Sequence, residues 1–146
     1  MSVFDLLKKD HKKVSAMFKE IKSAKDISKK HTIFEQLYID LTIHAEFEEK
    51  NLYPLLKKED ATEDMTFESI EEHKVVKSLL EQLKNYSLDQ KEWDAKLTVL
   101  QENVDHHVEE EEDDLFPKAK KVLDKEIIAD LTHKKEVLEG KVLVKK

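Results

Sequence analysis

The chain has 146 residues, a formal net charge of −7 and no cysteine, with one glycine and two prolines. This length predicts a single domain over residues 1–146, and the scarcity of glycine and proline excludes an all-β fold, which needs frequent turns. The lack of cysteine excludes a disulfide scaffold, a Cys-ligated metal site and a catalytic thiol, and it suits a cytoplasmic protein. The acidic balance disfavours nucleic acid and anionic membranes as partners, and no apolar run is long enough to predict a membrane span.

Four segments carry apolar residues at alternating intervals of three and four, the spacing of one face of an α-helix. They predict helices over about 2–24 and 28–58, a third helix capped by Thr66, and a fourth that begins at a Ser87–Gln90 capping box. Leu55 is expected on the buried face of the second helix. A short fifth helix over about 125–140 is predicted to cover the end of the bundle or to serve as a dimer contact. Short connections favour antiparallel neighbours, so we predict an all-α, up-down-up-down four-helix bundle over about 1–121 with a short C-terminal helix.

The chain repeats itself at an offset of about 62 residues. The segment 44–54 aligns with the segment 107–117, with His, Glu, Leu, an aromatic residue and Pro in register. His11 aligns with His73 in the same way. The sequence therefore predicts two helical hairpins of one design that face each other about a pseudo-twofold axis.

Six polar side chains take positions that the helical pattern reserves for apolar ones. Burying such groups without partners costs about 1–3 kcal/mol each, and more for a carboxylate. Two His-x-x-x-Glu pairs each place an imidazole and a carboxylate on one helix face, one turn apart. Four imidazoles and two carboxylates divide naturally into two metals bridged by the carboxylates, and iron or manganese suits them better than zinc. The predicted metal ligands are His11, His44, Glu48, His73, His107 and Glu111.

Other acidic residues near these positions point about 100° or more away from the apolar stripe and are predicted to be solvated. Glu49 and Glu112 are the substitutes for the bridging residues if the register of the helices differs. Asp10 and Glu72 each precede a ligand histidine and are candidates to orient the imidazoles as hydrogen-bond acceptors. The residues expected at the surface are His31, His133, Glu46, Glu109, Glu110 and His106, the last either there or hydrogen-bonded near the site.

At these residues the chain resembles the hemerythrin-like proteins of the HHE cation-binding group. The matching pattern is His11, then HAEFEEKNLYP from His44, then His73, then HVEEEEDDLFP from His107, and it covers about residues 1–120. The resemblance implies a four-helix bundle with a non-haem di-iron centre bridged by an oxo or hydroxo group. It also implies that the four histidines are terminal ligands and that Glu48 and Glu111 are the bridging carboxylates.

The chain departs from oxygen-carrying hemerythrins at Lys77, where those proteins have a further histidine one turn after the third-helix ligand. It is similar to the four-His, two-Glu subset, which includes the di-iron domains of iron–sulfur-cluster repair proteins and several sensors. The implied function is to bind or react with a small ligand: O2, NO or peroxide. The alternatives are iron storage or delivery, and a metal-dependent sensing or interaction module without catalysis. Tyr38, Tyr53 and Lys77 are candidates to line the ligand pocket, and the protein is expected to be a monomer or weak dimer.

Overall fold

The computed structural model describes residues 1–140, and the regular elements in this range are all helical. The last part of the predicted domain, 141–146, lies outside the described residues. Two π-helical turns, Glu48–Leu52 and Glu111–Leu115, each join a long helix to the short one that follows it. The helices are α1 (Val3–Ser23), α2 (Ile27–Phe47), α3 (Tyr53–Leu56), α4 (Glu63–Leu83), α5 (Gln90–Glu110), α6 (Phe116–Val122) and α7 (Lys125–Leu138).

The predicted four-helix bundle with a short C-terminal helix is confirmed. Helix α1 packs against α2, and α4 packs against α5, so each half of the chain forms one hairpin. Helix α7 lies against α1, where the backbone N–H of Val3 donates to Thr132 Oγ1 at 2.8 Å. Leu131 of α7 is buried, and Ile127 and Ile128 pack against the same apolar cluster. These contacts support the prediction that the fifth helix covers one end of the bundle.

The two π turns come just before the two prolines of the chain. Proline has no backbone N–H, and its ring clashes with the carbonyl group four residues back. The N–H groups of Tyr53 and Phe116 instead bond to the carbonyl oxygens of Glu48 and Glu111, five residues back. Each π turn therefore holds one residue more than an α turn.

Because of this extra residue, one predicted core position is wrong. Leu55 was expected on the buried face, but it is only half-buried, and Leu56 is fully buried in its place. The prediction assumed an uninterrupted period of 3.6 residues, and the π turn moves the buried face onward by one position.

Two predicted helix starts are also wrong. Helix α4 begins at Glu63, and Thr66 lies in its first turn, where its hydroxyl donates to the carbonyl of Thr62 at 2.6 Å. Helix α5 is capped by Asp89, whose carboxylate accepts the N–H of Lys91 at 2.7 Å. Aspartate is as good an N-cap as serine, so the sequence offered two competing starts.

The interior contains two apolar clusters, with a polar layer between them. The distal cluster includes Phe18, Phe34 and Trp93, and the proximal cluster includes Phe4, Tyr53 and Phe116. The predicted ligands fall between these clusters along every long helix. Within residues 1–140, no helix has the length and apolar character that crossing a membrane requires.

Candidate metal centre

The structure brings all six predicted metal ligands together in the middle of the bundle. The four long helices, α1, α2, α4 and α5, each contribute one histidine, and every one of these histidines is at most 9% exposed. Glu48 and Glu111 are the first residues of the two π turns, and both are fully buried. The π turns thus begin at the two carboxylates that the sequence predicts as bridges.

The histidines form two pairs. His11 and His44, here called the first imidazole pair, have ring centroids 4.9 Å apart. His73 and His107, the second imidazole pair, have ring centroids 4.7 Å apart. These pairs correspond to the two halves of the sequence repeat.

Each glutamate contacts one imidazole of each pair. The two oxygens of Glu111 lie 3.3 Å from His11 Nε2 and 3.3 Å from His107 Nε2. Glu48 Oε1 lies 3.2 Å from His44 Nε2 and 3.3 Å from His73 Nε2. Both carboxylates therefore sit where a bridge between two cations would sit.

Every histidine of the site has a carboxylate on its other ring nitrogen, Nδ1. A carboxylate there accepts the Nδ1–H, fixes the orientation of the ring and leaves the lone pair on Nε2, which points into the site. The contacts are His11 to Glu112 (2.7 Å), His44 to Asp10 (2.9 Å), His73 to Glu49 (2.8 Å) and His107 to Glu72 (2.7 Å).

These contacts confirm the predicted role of Asp10 and Glu72. They correct the prediction for Glu49 and Glu112, which was that both are only solvated. Each of these carboxylates instead forms a hydrogen bond with a predicted ligand histidine. The helical periodicity correctly placed both outside the buried stripe, since their side chains are 46% and 32% exposed. The sequence did hold a signal for them, because the two glutamates occupy equivalent positions of the repeat.

The inner atoms of the site require a cation. With hydrogen on Nδ1, the Nε2 lone pairs of both pairs face the glutamate oxygens. In the second pair they also face each other, at 3.1 Å, and the hydroxyl of Tyr53. Four of these buried atoms have no hydrogen-bond partner among residues 1–140: His11 Nε2, His44 Nε2, Glu48 Oε2 and Glu111 Oε1. Imidazole nitrogens and carboxylate oxygens converging in this way fit a metal ion of the iron, manganese or zinc type.

Protons are the competing cations at this site. Burial lowers the pKa of His44, but the charge of Glu48 and the hydrogen bond to Asp10 outweigh it and raise this pKa to about 10. Burial opposes ionisation of Glu111 as well, yet His107 holds the pKa of that carboxyl well below its usual range. Metal binding must therefore displace protons, and the affinity for metal falls as the pH falls.

Tyr53 is part of the site, although the sequence suggested it only as one of three possible pocket residues. Its hydroxyl donates to Glu111 Oε2 at 2.6 Å and lies 3.2 Å from His73 Nε2 and 3.3 Å from Glu48 Oε1. Burial and the two glutamates raise the pKa of Tyr53 well above its ordinary value, which keeps the hydroxyl protonated. The equivalent residue of the other half is Phe116, so only the second imidazole pair has this hydroxyl beside it.

A cavity of about 340 Å³ adjoins the imidazoles. Tyr38 and Lys77 line it, as predicted, together with residues from all four long helices. Its walls are mainly apolar, and the side chains of the four ligand histidines form one part of its lining. The site is thus open to a ligand from one side.

The remaining histidines are arranged mostly as predicted. His133 is exposed, and His106 is an exposed residue 2.8 Å from Glu110 and 3.7 Å from Glu72 Oε2. Glu46 and Glu109 are exposed, and Glu110 is half-buried. His31 was expected at the surface, but it is half-buried because its ring stacks on that of Tyr86, with the centroids 3.7 Å apart.

Comparison with known proteins gives a consistent result. The family model described as "Hemerythrin HHE cation binding domain" matches residues 2–119. The fold is similar to the crystal structure of a hemerythrin HHE cation binding domain-containing protein from Mycobacterium kansasii, with a TM-score of 0.81, 22% identity, and coverage of 96% of this chain and 86% of that one.

Two relatives are similar in sequence. A protein named DNA nickase from Nostoc is 38% identical over 116 residues, which cover 80% of this chain and 33% of that protein. An uncharacterized hemerythrin-like protein from Schizosaccharomyces pombe is 29% identical over 126 residues, 85% of this chain and 62% of that protein. The chain therefore spans a third of one relative's length and less than two thirds of the other's. It belongs to the hemerythrin HHE cation binding domain family, and such a domain has a metal-binding site with histidine and glutamate ligands.

Proposed function

We propose that this protein is a non-haem di-iron protein that binds or reacts with a small ligand: O2, NO or peroxide. The observation that carries the proposal is the set of buried acceptor atoms that face one another around the two imidazole pairs. The proposed ligands are His11, His44, Glu48, His73, His107 and Glu111.

Two ions are favoured over one because the donors fall into two overlapping groups. The first imidazole pair lies with Glu111, and the second lies with Glu48 and Glu111. Two divalent ions carry four positive charges, of which the two glutamates neutralise half, and an oxide or hydroxide bridge is suited to neutralise the rest. Ligands of mixed nitrogen and oxygen without sulfur favour iron or manganese.

An iron pair held here supplies redox chemistry and open coordination positions for a small ligand. The chain contributes the arrangement around it. The four outer carboxylates hold the imidazoles in one tautomer, and the hydroxyl of Tyr53 holds Glu111 in place by donating to Oε2. The cavity gives a small ligand access from one side.

The proposal is tested by elemental analysis of protein prepared without oxygen, followed by optical spectra as air is admitted. We expect about two irons per chain, and near-ultraviolet bands typical of an oxo bridge that grow in air. His107→Ala should lose most of the metal, and His133→Ala, which removes an exposed histidine of α7, should keep it. Zinc in place of iron, or a His107→Ala protein with unchanged metal, contradicts the proposal.

The alternatives predict other outcomes of the same preparation. Storage predicts many irons per chain and a large assembly, and a purely sensing role predicts two irons without turnover of any ligand. Nicking of DNA is the named activity of a relative of which this chain spans 33%, and a net charge of −7 disfavours contact with DNA. The lack of cysteine is compatible with the cytoplasmic location that we propose.

A further inference from the structure

The cavity beside the imidazoles is much larger than the proposed small ligands need. Its volume of about 340 Å³ is roughly eleven times the ~30 Å³ that one water molecule takes in the liquid. Protein interiors are close-packed, and voids larger than a water molecule are few. A space of this size next to a reactive centre therefore indicates a larger occupant than O2, NO or hydrogen peroxide.

The lining indicates the chemistry of that occupant. The inner wall is mainly aliphatic, with Asp10, Tyr38 and Thr42 as its polar residues besides the histidines; its aliphatic part comprises Val14, Leu41, Ile70, Val76, Leu80, Val104 and Val108. An apolar space of about 150 Å³ already accommodates a benzene molecule. A cavity twice that size accommodates a hydrocarbon body with a ring or a branched chain.

The two ends of the cavity differ. The lining residues with exposed side chains belong to α2, the π turn after it and α4, namely Glu46, Glu49, Lys74, Lys77 and Glu81, so the mouth lies between those helices. The other end is formed by the imidazoles, where the Nε2 atoms of His11 and His44 have no hydrogen-bond partner in the described part of the chain. An occupant that fits both ends therefore presents a polar head to the metal end and an apolar body to the walls, and in the proposed function that head is an oxygen group.

We propose that the cavity binds an organic hydroperoxide, with the peroxide group at the metal centre and the hydrocarbon body against the aliphatic wall. This rests on the proposed function and specifies its ligand, because it makes the organic peroxide the preferred one over hydrogen peroxide. Hydrogen peroxide has no hydrocarbon body and leaves the aliphatic wall without a partner. Each CH2 group that an occupant buries strengthens its binding, so a body of a few carbons favours the organic ligand by more than tenfold.

The test uses cumene hydroperoxide, hydrogen peroxide, and cumyl alcohol, which matches the first but has no O–O bond to react. Calorimetry measures binding of the alcohol to the metal-loaded and metal-free chain. Stopped-flow optical spectra of the iron-loaded protein give the concentration of each peroxide that produces the half-maximal rate. We expect the alcohol to bind. We expect cumene hydroperoxide to give its half-maximal rate at a concentration at least tenfold lower than hydrogen peroxide does.

Two adjacent valines provide a matched pair of variants. Val76 lines the cavity, and Val75 is 47% exposed and outside it. Val76→Phe should fill part of the cavity, weaken alcohol binding at least tenfold and remove the preference between the peroxides; Val75→Phe should change neither. Ala45→Leu fills the opposite wall from α2 and replaces Val76→Phe if that protein does not fold with its metal.

The possible outcomes distinguish failure of this inference from failure of the proposed function on which it rests. If both peroxides act at equal concentrations and the alcohol does not bind, the organic ligand is excluded while peroxide reactivity stands. If the alcohol binds but neither peroxide changes the spectrum of the iron-loaded protein, the hydroperoxide assignment is overturned together with the peroxide function. Loss of the preference in Val75→Phe as well as in Val76→Phe also contradicts the inference.

Discussion

The two imidazole pairs have similar ring separations and carboxylate distances but different surroundings. The ring separations, 4.9 and 4.7 Å, and the Nε2-to-carboxylate distances are almost equal. Around the first pair, however, the partner of His44 is itself held by a buried cation: Asp10 Oδ2 accepts from Lys135 Nζ of α7 at 2.7 Å. Around the second pair lies the hydroxyl of Tyr53, where the first has the ring of Phe116 stacked 6.1 Å from His11.

The difference shows how a repeated sequence can produce two unequal sites. The repeat supplies the ligands and their outer carboxylates twice. One hydroxyl and one additional helix then distinguish the halves, because Lys135 lies outside the repeat and has no counterpart in it. We therefore expect two metals with different affinities and different spectroscopic signatures.

The largest effect is expected from removing a carboxylate that the two pairs share. Glu111 contacts an imidazole of each pair, so Glu111→Ala should lower the metal content from about two ions to near zero. Elemental analysis measures this, with Glu109→Ala, an exposed change two residues away, as the control. A Glu111→Ala protein that retains one tightly bound ion would show that the pairs act independently.

Removing one outer carboxylate should affect the pairs separately. Glu112→Ala releases His11 of the first pair, and Glu72→Ala releases His107 of the second. Each should weaken metal binding by about 10–100-fold, because an imidazole without its partner is less basic and less well oriented. Competition with a chelator resolves the two binding steps, and we expect each variant to change mainly one of them. Equal changes in both steps would contradict the division into pairs.

The buried lysine should stabilise the half that it contacts. Lys135 is only 2% exposed and contacts Asp10 and Glu139, so Lys135→Met should lower the free energy of unfolding by about 2 kcal/mol. The neighbouring Lys134 is exposed and forms a surface ion pair with Asp130, so Lys134→Met should change the free energy of unfolding by about 0.5 kcal/mol or less. Urea denaturation of both variants measures the difference, and similar values for the two would contradict a specific role for Lys135.

Exchanging the aromatic residues should make the pairs more alike. Tyr53→Phe removes a hydroxyl that donates to Glu111, at a cost of about 1 kcal/mol in unfolding free energy. The same variant should alter the optical spectrum of the loaded protein, since the hydroxyl lies beside the second pair. Phe116→Tyr, by contrast, adds a hydroxyl next to the first pair. An unchanged spectrum in Tyr53→Phe would show that the hydroxyl does not influence the metals.

The smallest effect is a change in one pKa. Burial raises the pKa of Asp10, but hydrogen bonds from His44 and Lys135 outweigh this and lower it from 3.8 to about 2. A lowered pKa means that Asp10 stabilises the fold above pH 3.8 and that this contribution is lost as the pH falls toward 2. Lys135→Met should raise this pKa, so the contribution of Asp10 should be smaller and its loss should be complete at a higher pH. An NMR titration of the Asp10 carboxyl carbon measures the shift, and an unchanged pKa would rule out control by Lys135.

Much of the fold and of the site was predictable because both depend on helical periodicity. A histidine or glutamate in an apolar stripe must lie inside the bundle, which identified the six buried histidines and glutamates of the candidate site. The outer partners were harder to predict. Asp10 and Glu72 were suggested by their place beside ligands, whereas Glu49 and Glu112 were expected to be solvated, since they are partly exposed and act only through their carboxylate ends.

The remaining features could not be derived from the period of a single helix. Lys135 meets Asp10 only because α7 folds back onto α1, a contact between residues more than a hundred positions apart. Tyr53 lies four residues beyond Glu49, so an uninterrupted α-helix would place these two side chains on one face. The π turn between the glutamates and the proline changes this register, and the contact of Tyr53 with Glu111 depends on it. Tertiary packing and a local departure from the α-helix decided these positions.

The two π turns also affect how relatives of this chain should be compared. Each π turn is one residue longer than the α turn it replaces, so each half of the molecule carries the equivalent of a single-residue insertion. Deleting one residue, such as Asn51, would restore an uninterrupted α-helix, in which Tyr53 follows Glu48 by four residues instead of five. The residues before and after the deletion would keep their faces, but the wider turn that begins at the glutamate would be lost. In a homologue, the eleven-residue length of the motif from His44 to Pro54 is therefore as informative as its composition, and a one-residue alignment gap inside it marks the loss of the π turn.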